Sequence, residues 1–183
     1  HVIGTPVIAT GQTCSKVRQS SQLLLPADCT ASGFYITNAR NYLFGNAASG
    51  GWAGFAFPTL PTALNIHQWA HINPSSREIL QFEGNSAHSS GYWWQSAGTI
   101  YFGGKLWHPR DGTLRYNPCR THPARSGLTR LVDTKVFLSR GVGVSHWGEK
   151  PELVGFEASD VALSTAMLGE GYMANAVITC RTG

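Results

Sequence analysis

Charged residues are scarce in this sequence. Only 13% of the residues are Asp, Glu, Lys or Arg, about half of the quarter or so that is usual in soluble domains. Glycine is plentiful, with 21 residues, and aromatic residues make up 11% of the chain. Such a surface depends on Ser, Thr, Asn and Gly rather than on ions. This composition argues against a charged helical bundle or a disordered tail and is typical of secreted β-rich proteins.

Helical periodicity and long apolar runs are also missing. No segment of about 12 residues combines apolar positions at helical spacing with supporting caps. The apolar runs are far shorter than the roughly 18 residues that span a bilayer, so no transmembrane segment is predicted. The chain starts at His1 without a visible secretory signal. We expect residues 1–183 to form one module that is a fragment of a larger extracellular protein.

Cysteines are few and far apart. The four cysteines are Cys14, Cys29, Cys119 and Cys180, and they lack the close Cys/His pairs of structural zinc sites. Disulfides in an oxidising compartment are therefore predicted, with three possible connectivities. Pairing of Cys14 with Cys29 would close a short polar loop and leave Cys119 for Cys180.

Positive charge is modest and dispersed. The chain carries 14 basic and 10 acidic residues, a net charge of +4, and the densest basic stretch runs from Arg110 to Arg130. Attraction to an anionic polysaccharide is allowed, but no nucleic-acid partner is predicted because no Lys/Arg run or nucleic-acid motif is present. No cofactor is expected either, since phosphate-binding and dinucleotide-binding glycine loops are absent.

Short strand patterns fill the chain in place of helices. They are rich in β-branched and aromatic residues and are separated by Gly, Asn, Ser and Pro. The predicted strands are Phe34–Ile36, Gly54–Phe57, Ile79–Phe82, Thr99–Phe102, Thr134–Leu138, Val142–Val144 and Ala176–Ile178. The sequence therefore predicts an all-β fold.

One segment is repeated along the chain. Leu43–Gly50 is echoed by Phe82–Ser89, which places Asn46 and Asn85 at the same point of the repeat, 39 residues apart. A fainter third copy runs from Phe137 to Val144. Each copy predicts a strand, a turn and a second strand, in which the Asn adopts a left-handed conformation or bonds neighbouring backbone. Such units stack into solenoids, where a corner Asn can bond the next coil.

Two proline-rich stretches, Pro58–Pro61 and Trp107–Pro123, interrupt the strand patterns. We expect them to be loops that leave the stack. Binding residues concentrate in such loops.

The region from Asp28 to His88 resembles a known family. The motifs that carry the resemblance are Asp28–Asn38, Gly45–Gly51 with Gly54–Phe55, Pro58–Thr62 and Phe82–Ser89. In order and spacing they are similar to the parallel β-helix region of the cell-surface hyaluronidase and fibrocystin-like family.

The resemblance implies a right-handed parallel β-helix in a large extracellular or membrane-anchored protein. The expected fold is thus a partial all-β solenoid with Pro-rich loop insertions, whose open ends are capped by flanking domains or neighbouring chains. The chain departs from the family because it lacks the glycine-rich β-domain that precedes the helix there. The residues that the family uses for hyaluronan cleavage fall largely outside it, so no catalytic residue is carried over.

Aromatic residues supply the strongest binding candidates, namely Tyr92, Trp93, Trp94 and Trp107. Consecutive residues of a strand point to opposite faces, so one core cannot bury both Trp93 and Trp94. An exposed ring beside polar loops would stack on a sugar. The alternative is that the second Trp packs under a loop or a neighbouring domain.

Acid and base candidates are weaker. Glu83, His88 and Asp160, together with Glu157, could supply the carboxylate pair of a glycoside hydrolase or the base of a lyase. Nothing in the sequence places them together. The alternative is that His88 is a turn residue and that the carboxylates are solvated surface groups.

A looser set combines imidazoles and indoles. His67 and His71 are four residues apart and flank Trp69, while His146 and Trp147 are adjacent. No Glu-bearing zinc motif accompanies them, so a metal site is not predicted.

Two functions remain open from the sequence. The first is an extracellular module with a structural role or a role in binding carbohydrate or protein neighbours. The second is the substrate-groove portion of a hyaluronidase-like enzyme that depolymerises polysaccharides as a hydrolase or a lyase. The two differ in whether two carboxylates, or a carboxylate and a His, lie within reach of one bound sugar.

Overall fold

The structure, a computed structural model, describes residues 2–5, 32–58, 78–91, 98–103, 106–107, 115–116, 129–147, 150–168 and 170–179. These residues contain short strands and no helix. The strands are β1 (Val2–Thr5), β2 (Ser32–Tyr35), β3 (Tyr42–Phe44), β4 (Ala47–Gly50), β5 (Ala53–Phe57), β6 (Gln81–Glu83), β7 (Ser86–His88), β8 (Gly98–Phe102), β9 (Leu106–Trp107), β10 (Arg115–Tyr116), β11 (Thr129–Val132), β12 (Lys135–His146), β13 (Pro151–Val154), β14 (Glu157–Met167), β15 (Tyr172–Ala174) and β16 (Val177–Thr179).

Almost all strand pairing is parallel. A nine-stranded sheet and a five-stranded sheet contain only parallel pairs. The exception is the two-stranded β9–β10 sheet, which is antiparallel. The prediction of an all-β fold is confirmed.

The parallel strands form three rows. Row 1 is the five-stranded sheet, in the order β3, β6, β11, β13 and β15. Row 2 contains β1, β4, β7, the first parts of β12 and β14, and β16. Row 3 contains β2, β5, β8 and the second parts of β12 and β14. From β3 to β8 the chain visits rows 1, 2 and 3 twice in that order, and the same order returns from β11 to β16.

Strand β12 joins two predicted strands into one. The sequence predicts Thr134–Leu138 and Val142–Val144 as separate strands, and both fall largely within Lys135–His146. The expected break survives only as a register irregularity between Ser139 and Val142. Because β12 passes without interruption from row 2 to row 3, those two rows belong to one sheet.

The corner between rows 1 and 2 has the same backbone shape at each repeat. Its first residue always has a positive φ, between 45° and 66°. These residues are Gly45, Gly84, Asp133, Gly155 and Asn175. A left-handed residue is favourable for Gly and tolerated by Asn and Asp, which explains the residue types found here.

The repeat of Leu43–Gly50 in Phe82–Ser89, with Asn46 and Asn85 at equal positions, is confirmed by direct contacts. Asn85 Oδ1 accepts a hydrogen bond from the Asn46 backbone N–H at 2.9 Å, and Asn85 Nδ2 donates to the Leu43 carbonyl at 2.8 Å. Of the two roles predicted for the Asn, bonding of neighbouring backbone is correct. The left-handed conformation falls instead on the preceding residue, Gly45 or Gly84.

The predicted register of the fainter third copy is wrong. Phe137 pairs with His88, whereas Val132 pairs with Glu83, so the corner of the third repeat is Asp133–Thr134. Thr134 is buried and its hydroxyl bonds the Val132 carbonyl at 3.1 Å. The repeat is hard to recognise in the sequence because Thr replaces Asn at this corner.

The core lies between the three rows. Large side chains from row 1, small ones from row 2 and aromatic or aliphatic ones from row 3 point inward. Row 1 contributes Leu43, Phe82, Leu131, Leu153 and Met173, row 2 contributes Ala48, Ala87, Val136 and Ala158, and row 3 contributes Phe34, Phe55, Ile100 and Val144, followed by Phe57, Phe102, His146 and Met167. Equal positions stack directly: the rings of Phe57 and Phe102 are 4.4 Å apart and nearly parallel.

Row 3 is also buried on its outer side. A second cluster contains Trp52, Ala53, Ala56 and Tyr101, with Tyr35 and Trp147 packed against it. Strands β5 and β8 are therefore buried on both faces, as is usual for covered parallel sheets. Among the described residues, rows 1 and 2 keep outer faces that are at least partly exposed.

Candidate functional site

The predicted carbohydrate-binding residues fall almost wholly outside the described residues. This holds for Tyr92, Trp93 and Trp94. Trp107 lies in β9, where its backbone pairs with that of Arg115. Their role in binding stays a prediction.

Other predicted groups also lie outside the described residues. They are Cys14, Cys29, Cys119 and Cys180, and His67, Trp69 and His71. The two disulfides therefore stay predictions.

Glu83 lies on the outer side of row 1. It follows inward-facing Phe82 on β6, and its Oε2 accepts a hydrogen bond from Gln81 Nε2 at 2.6 Å. The two side chains are neighbours because residues two apart share one face of a strand. Glu83 is thus a partly buried surface carboxylate with an amide partner.

His88 lies on the outer side of row 2. Its ring stacks on that of Phe137, with centroids 4.5 Å apart and an interplanar angle of 13°. Its Nδ1 is 2.9 Å from the Ser89 hydroxyl. The stack arises from register, since His88 and Phe137 occupy equal positions on paired strands β7 and β12.

Asp160 lies at the corner between rows 2 and 3. Its φ is 51°, and the equivalent residues of the other repeats also have positive φ. These are Gly50, Ser89 and Leu138. Asp tolerates this conformation better than most residues, so a role in the turn explains its presence.

The structure does not bring the acid and base candidates together. Glu83 belongs to the five-stranded sheet, whereas His88 and Asp160 belong to the nine-stranded sheet. Strand β12 lies between His88 and Asp160. Glu157 forms an ion pair with Lys135, with Nζ and Oε2 2.9 Å apart.

No group of three or more His, Cys, Asp or Glu side chains in the described part of the chain could hold a metal ion. His146, one of the residues singled out from the sequence, is fully buried. It pairs with Phe102 on one side and with Met167 on the other, within the core. His146 is thus a core residue, a position that its sequence neighbourhood does not reveal.

Tyr35 has an unusual phenol. Its hydroxyl is buried and has no hydrogen-bond partner within the described ranges. Burial raises the pKa of Tyr35 from 10.0 to about 12, because the phenolate would lose its hydration. The side chain packs beside the second cluster on the outer side of row 3.

One exposed surface is not predicted from the sequence. We call it the row-1 face: the outward side chains of β3, β6, β11, β13 and β15. Tyr42, Phe44 and Tyr172 project from it and are each at least half exposed. The signal is present in Tyr42-Leu43-Phe44, where two aromatic residues flank one inward Leu, but these residues alone do not show which face of the strand is exposed.

The row-1 face also carries hydrogen-bonding and charged groups. Arg130 and Glu152 occupy paired positions on β11 and β13, with Arg130 Nε 3.7 Å from Glu152 Oε2. Gln81 and Glu83 lie one strand away on β6. The face therefore has aromatic rings on its two end strands and polar side chains, together with Val132 and Val154, on the strands between them.

The model of the CEMIP beta-helix family matches residues 4–93 of the chain. The match includes the region from Asp28 to His88 that carries the family resemblance in the sequence. The resemblance is therefore confirmed.

Curated relatives extend the similarity to the whole chain. Communication mutant protein F of Dictyostelium discoideum is 41% identical over 194 aligned residues, which cover 100% of this chain and 18% of that protein. A G8 domain-containing protein of the same organism is 39% identical over 194 residues, covering 100% of the chain and 14% of the relative. Protein rliB, also from Dictyostelium discoideum, is 41% identical over 191 residues, covering 97% and 17%.

The chain spans less than a fifth of the length of these relatives. No solved structure matches it. The described part of the chain contains no helix that is long and apolar enough to cross a membrane.

Proposed function

Because residues 4–93 match the CEMIP beta-helix family, we propose that this chain is a parallel β-helix module of a larger extracellular protein. The module acts as a rigid support. It presents its exposed faces and its loops to carbohydrate or protein neighbours.

The order of the three rows supports the β-helix. Strands β3, β4 and β5 occupy rows 1, 2 and 3, and β6, β7 and β8 repeat that order one position along each row. Each set of three is one coil. The hand of the coil is right-handed, since about 98% of crossovers between parallel strands of one sheet are right-handed.

Asn85 is the single observation that best supports stacked coils. Its side chain reaches across to Asn46 and Leu43 in the preceding coil while its own backbone carbonyl accepts from Lys135 N–H in the next. A buried side chain that links successive coils holds them in register. Rigid register is what a module that presents a binding face requires.

An extracellular location is proposed from the families involved. CEMIP and G8 domain families are generally extracellular or at the cell surface. The low charge and high glycine content of the chain agree with this location. The predicted disulfides would form in the same compartment.

Neighbouring domains or chains are proposed to cap the helix. Val177 and Ile178 of β16 are at least half exposed, and the partner of β16 among the described strands is β14. A parallel strand with one partner leaves backbone groups and apolar side chains to be covered. In relatives that are more than five times longer than the match, adjoining segments could provide that cover.

The test is to incubate the protein, with its native flanking domains, with hyaluronan and a panel of other polysaccharides. Retention of the protein and the size of the products are both measured. Retention without shortening is the expected result. Weaker retention in Trp93→Ala or Trp94→Ala would assign binding to these predicted aromatic residues, and failure to retain any polysaccharide would contradict a role in carbohydrate binding.

The enzymatic alternative gives a different result in the same experiment. Shortened products that disappear in Glu83→Gln, His88→Asn or Asp160→Asn would establish a depolymerising enzyme. The separation of Glu83 from His88 and Asp160 on different sheets speaks against these three residues acting on one sugar.

A further inference from the structure

We propose that the row-1 face binds a linear, uncharged polysaccharide laid along the helix axis, across the strands. The proposal rests on the carbohydrate-binding role proposed above and assigns it to a surface other than the predicted Trp93 and Trp94. Three features of the face support it: the aromatic rings, the spacing of the strands and the balance of charge.

Two exposed aromatic rings lie next to each other at one end of the face. Tyr42 and Phe44 are 64% and 50% exposed. Their ring planes lie within 16° of each other, with centroids 6.2 Å apart. Two neighbouring exposed rings offer apolar surface against which the apolar face of a pyranose can pack.

A third ring lies at the opposite end. Tyr172 of β15 is 58% exposed. It occupies the same outward line as Tyr42. Tyr42 pairs with Gln81, and the pairing of Glu83 with Val132 puts Gln81 opposite Arg130. Arg130 pairs with Glu152, which in turn pairs with Tyr172. Both rings therefore belong to one straight line across the sheet.

The spacing of that line suits a polymer. Strands β3 and β15 are the first and last of five in row 1, so their side chains are about 19 Å apart at the usual strand spacing of about 4.8 Å. In an extended polysaccharide, the length of one sugar unit is similar to the spacing of two neighbouring strands. A chain stacked on Tyr42 and Phe44 at one end would thus reach Tyr172 with several sugars between.

The side chains between the rings suit hydroxyl groups. Gln81, Glu83, Arg130 and Glu152 offer amide, carboxylate and guanidinium groups, which can donate to or accept from sugar hydroxyls. Arg130 and Glu152 already hold one another at 3.7 Å. Such a pair, partly exposed, can bond a ligand without burying an unpaired charge.

The charge of the face selects an uncharged ligand. It has two carboxylates, Glu83 and Glu152, against one guanidinium, Arg130. A polyanion such as hyaluronan would meet an excess of one negative charge and no free row of basic groups on these strands. The local chemistry therefore disfavours an acidic polymer, even though the chain as a whole carries a net charge of +4.

The test measures binding of the protein to cellohexaose, xylohexaose, mannohexaose and a hyaluronan hexasaccharide by titration calorimetry, at low and high salt. We expect binding to at least one uncharged oligosaccharide, independent of salt. Tyr42→Ala and Tyr172→Ala should each weaken it by roughly three- to tenfold, the loss of one ring contact. Leu138→Ala is the matched control, since Leu138 is 57% exposed but lies away from the row-1 face.

Several results would overturn the proposal. One is the absence of binding to all three uncharged oligosaccharides, and another is tighter, salt-sensitive binding to hyaluronan. A third is unchanged affinity in both Tyr42→Ala and Tyr172→Ala. If sedimentation shows that Tyr42→Ala dissociates a dimer while no oligosaccharide binds, the face is a protein interface instead.

The same data separate this proposal from the broader one. If the protein retains polysaccharides but the Tyr42 and Tyr172 variants bind like the wild type, the carbohydrate-binding module stands and the row-1 face is excluded. If Trp93→Ala and Trp94→Ala abolish that retention, binding belongs to these two residues. If no polysaccharide is retained at all, both proposals fail.

Discussion

At the scale of single residues, Asn85 is a polar side chain that joins two neighbouring repeats. It is fully buried and makes three hydrogen bonds with Leu43 and Asn46. Such a residue stabilises the fold only while all its partners are present, because a buried polar group that loses its partner keeps the cost of desolvation.

Asn85→Ala should therefore lower the free energy of unfolding by roughly 1–3 kcal/mol, the cost of leaving buried partners unbonded. Chemical denaturation followed by circular dichroism measures this change. Asn41→Ala is the matched control: Asn41 is exposed and its side chain bonds only the nearby Asn38 carbonyl, so its loss should cost less than about 0.5 kcal/mol. Equal effects of the two substitutions would show that Asn85 does not hold the coils together.

Tyr35 makes the free energy of unfolding depend on pH in the alkaline range. Its pKa is raised by burial from 10.0 to about 12, so between these values the unfolded chain releases a phenolic proton that the folded chain retains. The contribution of Tyr35 is fully present below pH 10, and the free energy of unfolding falls as the pH rises from 10 towards 12.

Tyr35→Phe should remove the Tyr35 contribution to the loss of stability above pH 10. Below pH 10 the free energy of unfolding should be equal or higher, because the buried hydroxyl lacks a hydrogen-bond partner among the described residues. Urea unfolding below and above pH 10 tests both effects. Tyr42→Phe, which removes the hydroxyl of an exposed side chain, is the control. A pH profile for Tyr35→Phe that matches the wild type would contradict the assignment.

At the scale of the elements, the coils can stack closely because row 2 faces the core with small side chains. Ala48 pairs with Ala87 on the neighbouring strand. Gly54 of row 3 comes so near that a Cβ there would lie 2.7 Å from the Ala87 Cβ. There is therefore no room for larger side chains where Ala48, Gly54 and Ala87 meet.

Ala48→Leu should therefore destabilise the fold by roughly 1–3 kcal/mol through overpacking. Ala47→Leu is the control on the same strand, because the Ala47 side chain points outward and is partly exposed. This substitution should change the free energy of unfolding by less than about 0.5 kcal/mol. Thermal unfolding of the two variants measures the difference. A tolerated Leu at position 48 would mean that rows 2 and 3 do not approach as closely as described.

At the scale of the whole molecule, β16 is the described strand at which we expect association. Ile178 of β16 takes the inward position after Ala158 but is half exposed. In the chain expressed alone, this edge should recruit a second copy, since β16 has one partner among the described strands and carries exposed apolar side chains, which makes it a template for further pairing.

Ile178→Lys should therefore shift the isolated chain towards the monomer in sedimentation velocity, because a charged side chain opposes pairing at a strand edge. Leu138→Lys adds the same charge to an exposed residue at a corner in the middle of the stack, and it should leave association unchanged. A wild-type chain that is already monomeric at all concentrations would contradict the need for a cap.

The sequence alone determined the class of fold and its repeat. Low charge, abundant glycine and short β-branched segments predict an all-β chain, and the equivalence of Asn46 and Asn85 is visible in the order of the residues around them. These features are local, since turn chemistry at Gly45-Asn46 and Gly84-Asn85 depends on neighbours along the chain.

The tertiary structure decided the rest. Ser86–His88 and Glu157–Met167 are strands without the usual β-branched pattern, and they exist because paired strands on both sides satisfy their backbone. The burial of His146 and the exposure of Tyr42 likewise follow from register with strands far away in sequence. A side chain's face depends on which distant strand its own strand pairs with, and no local pattern contains that information.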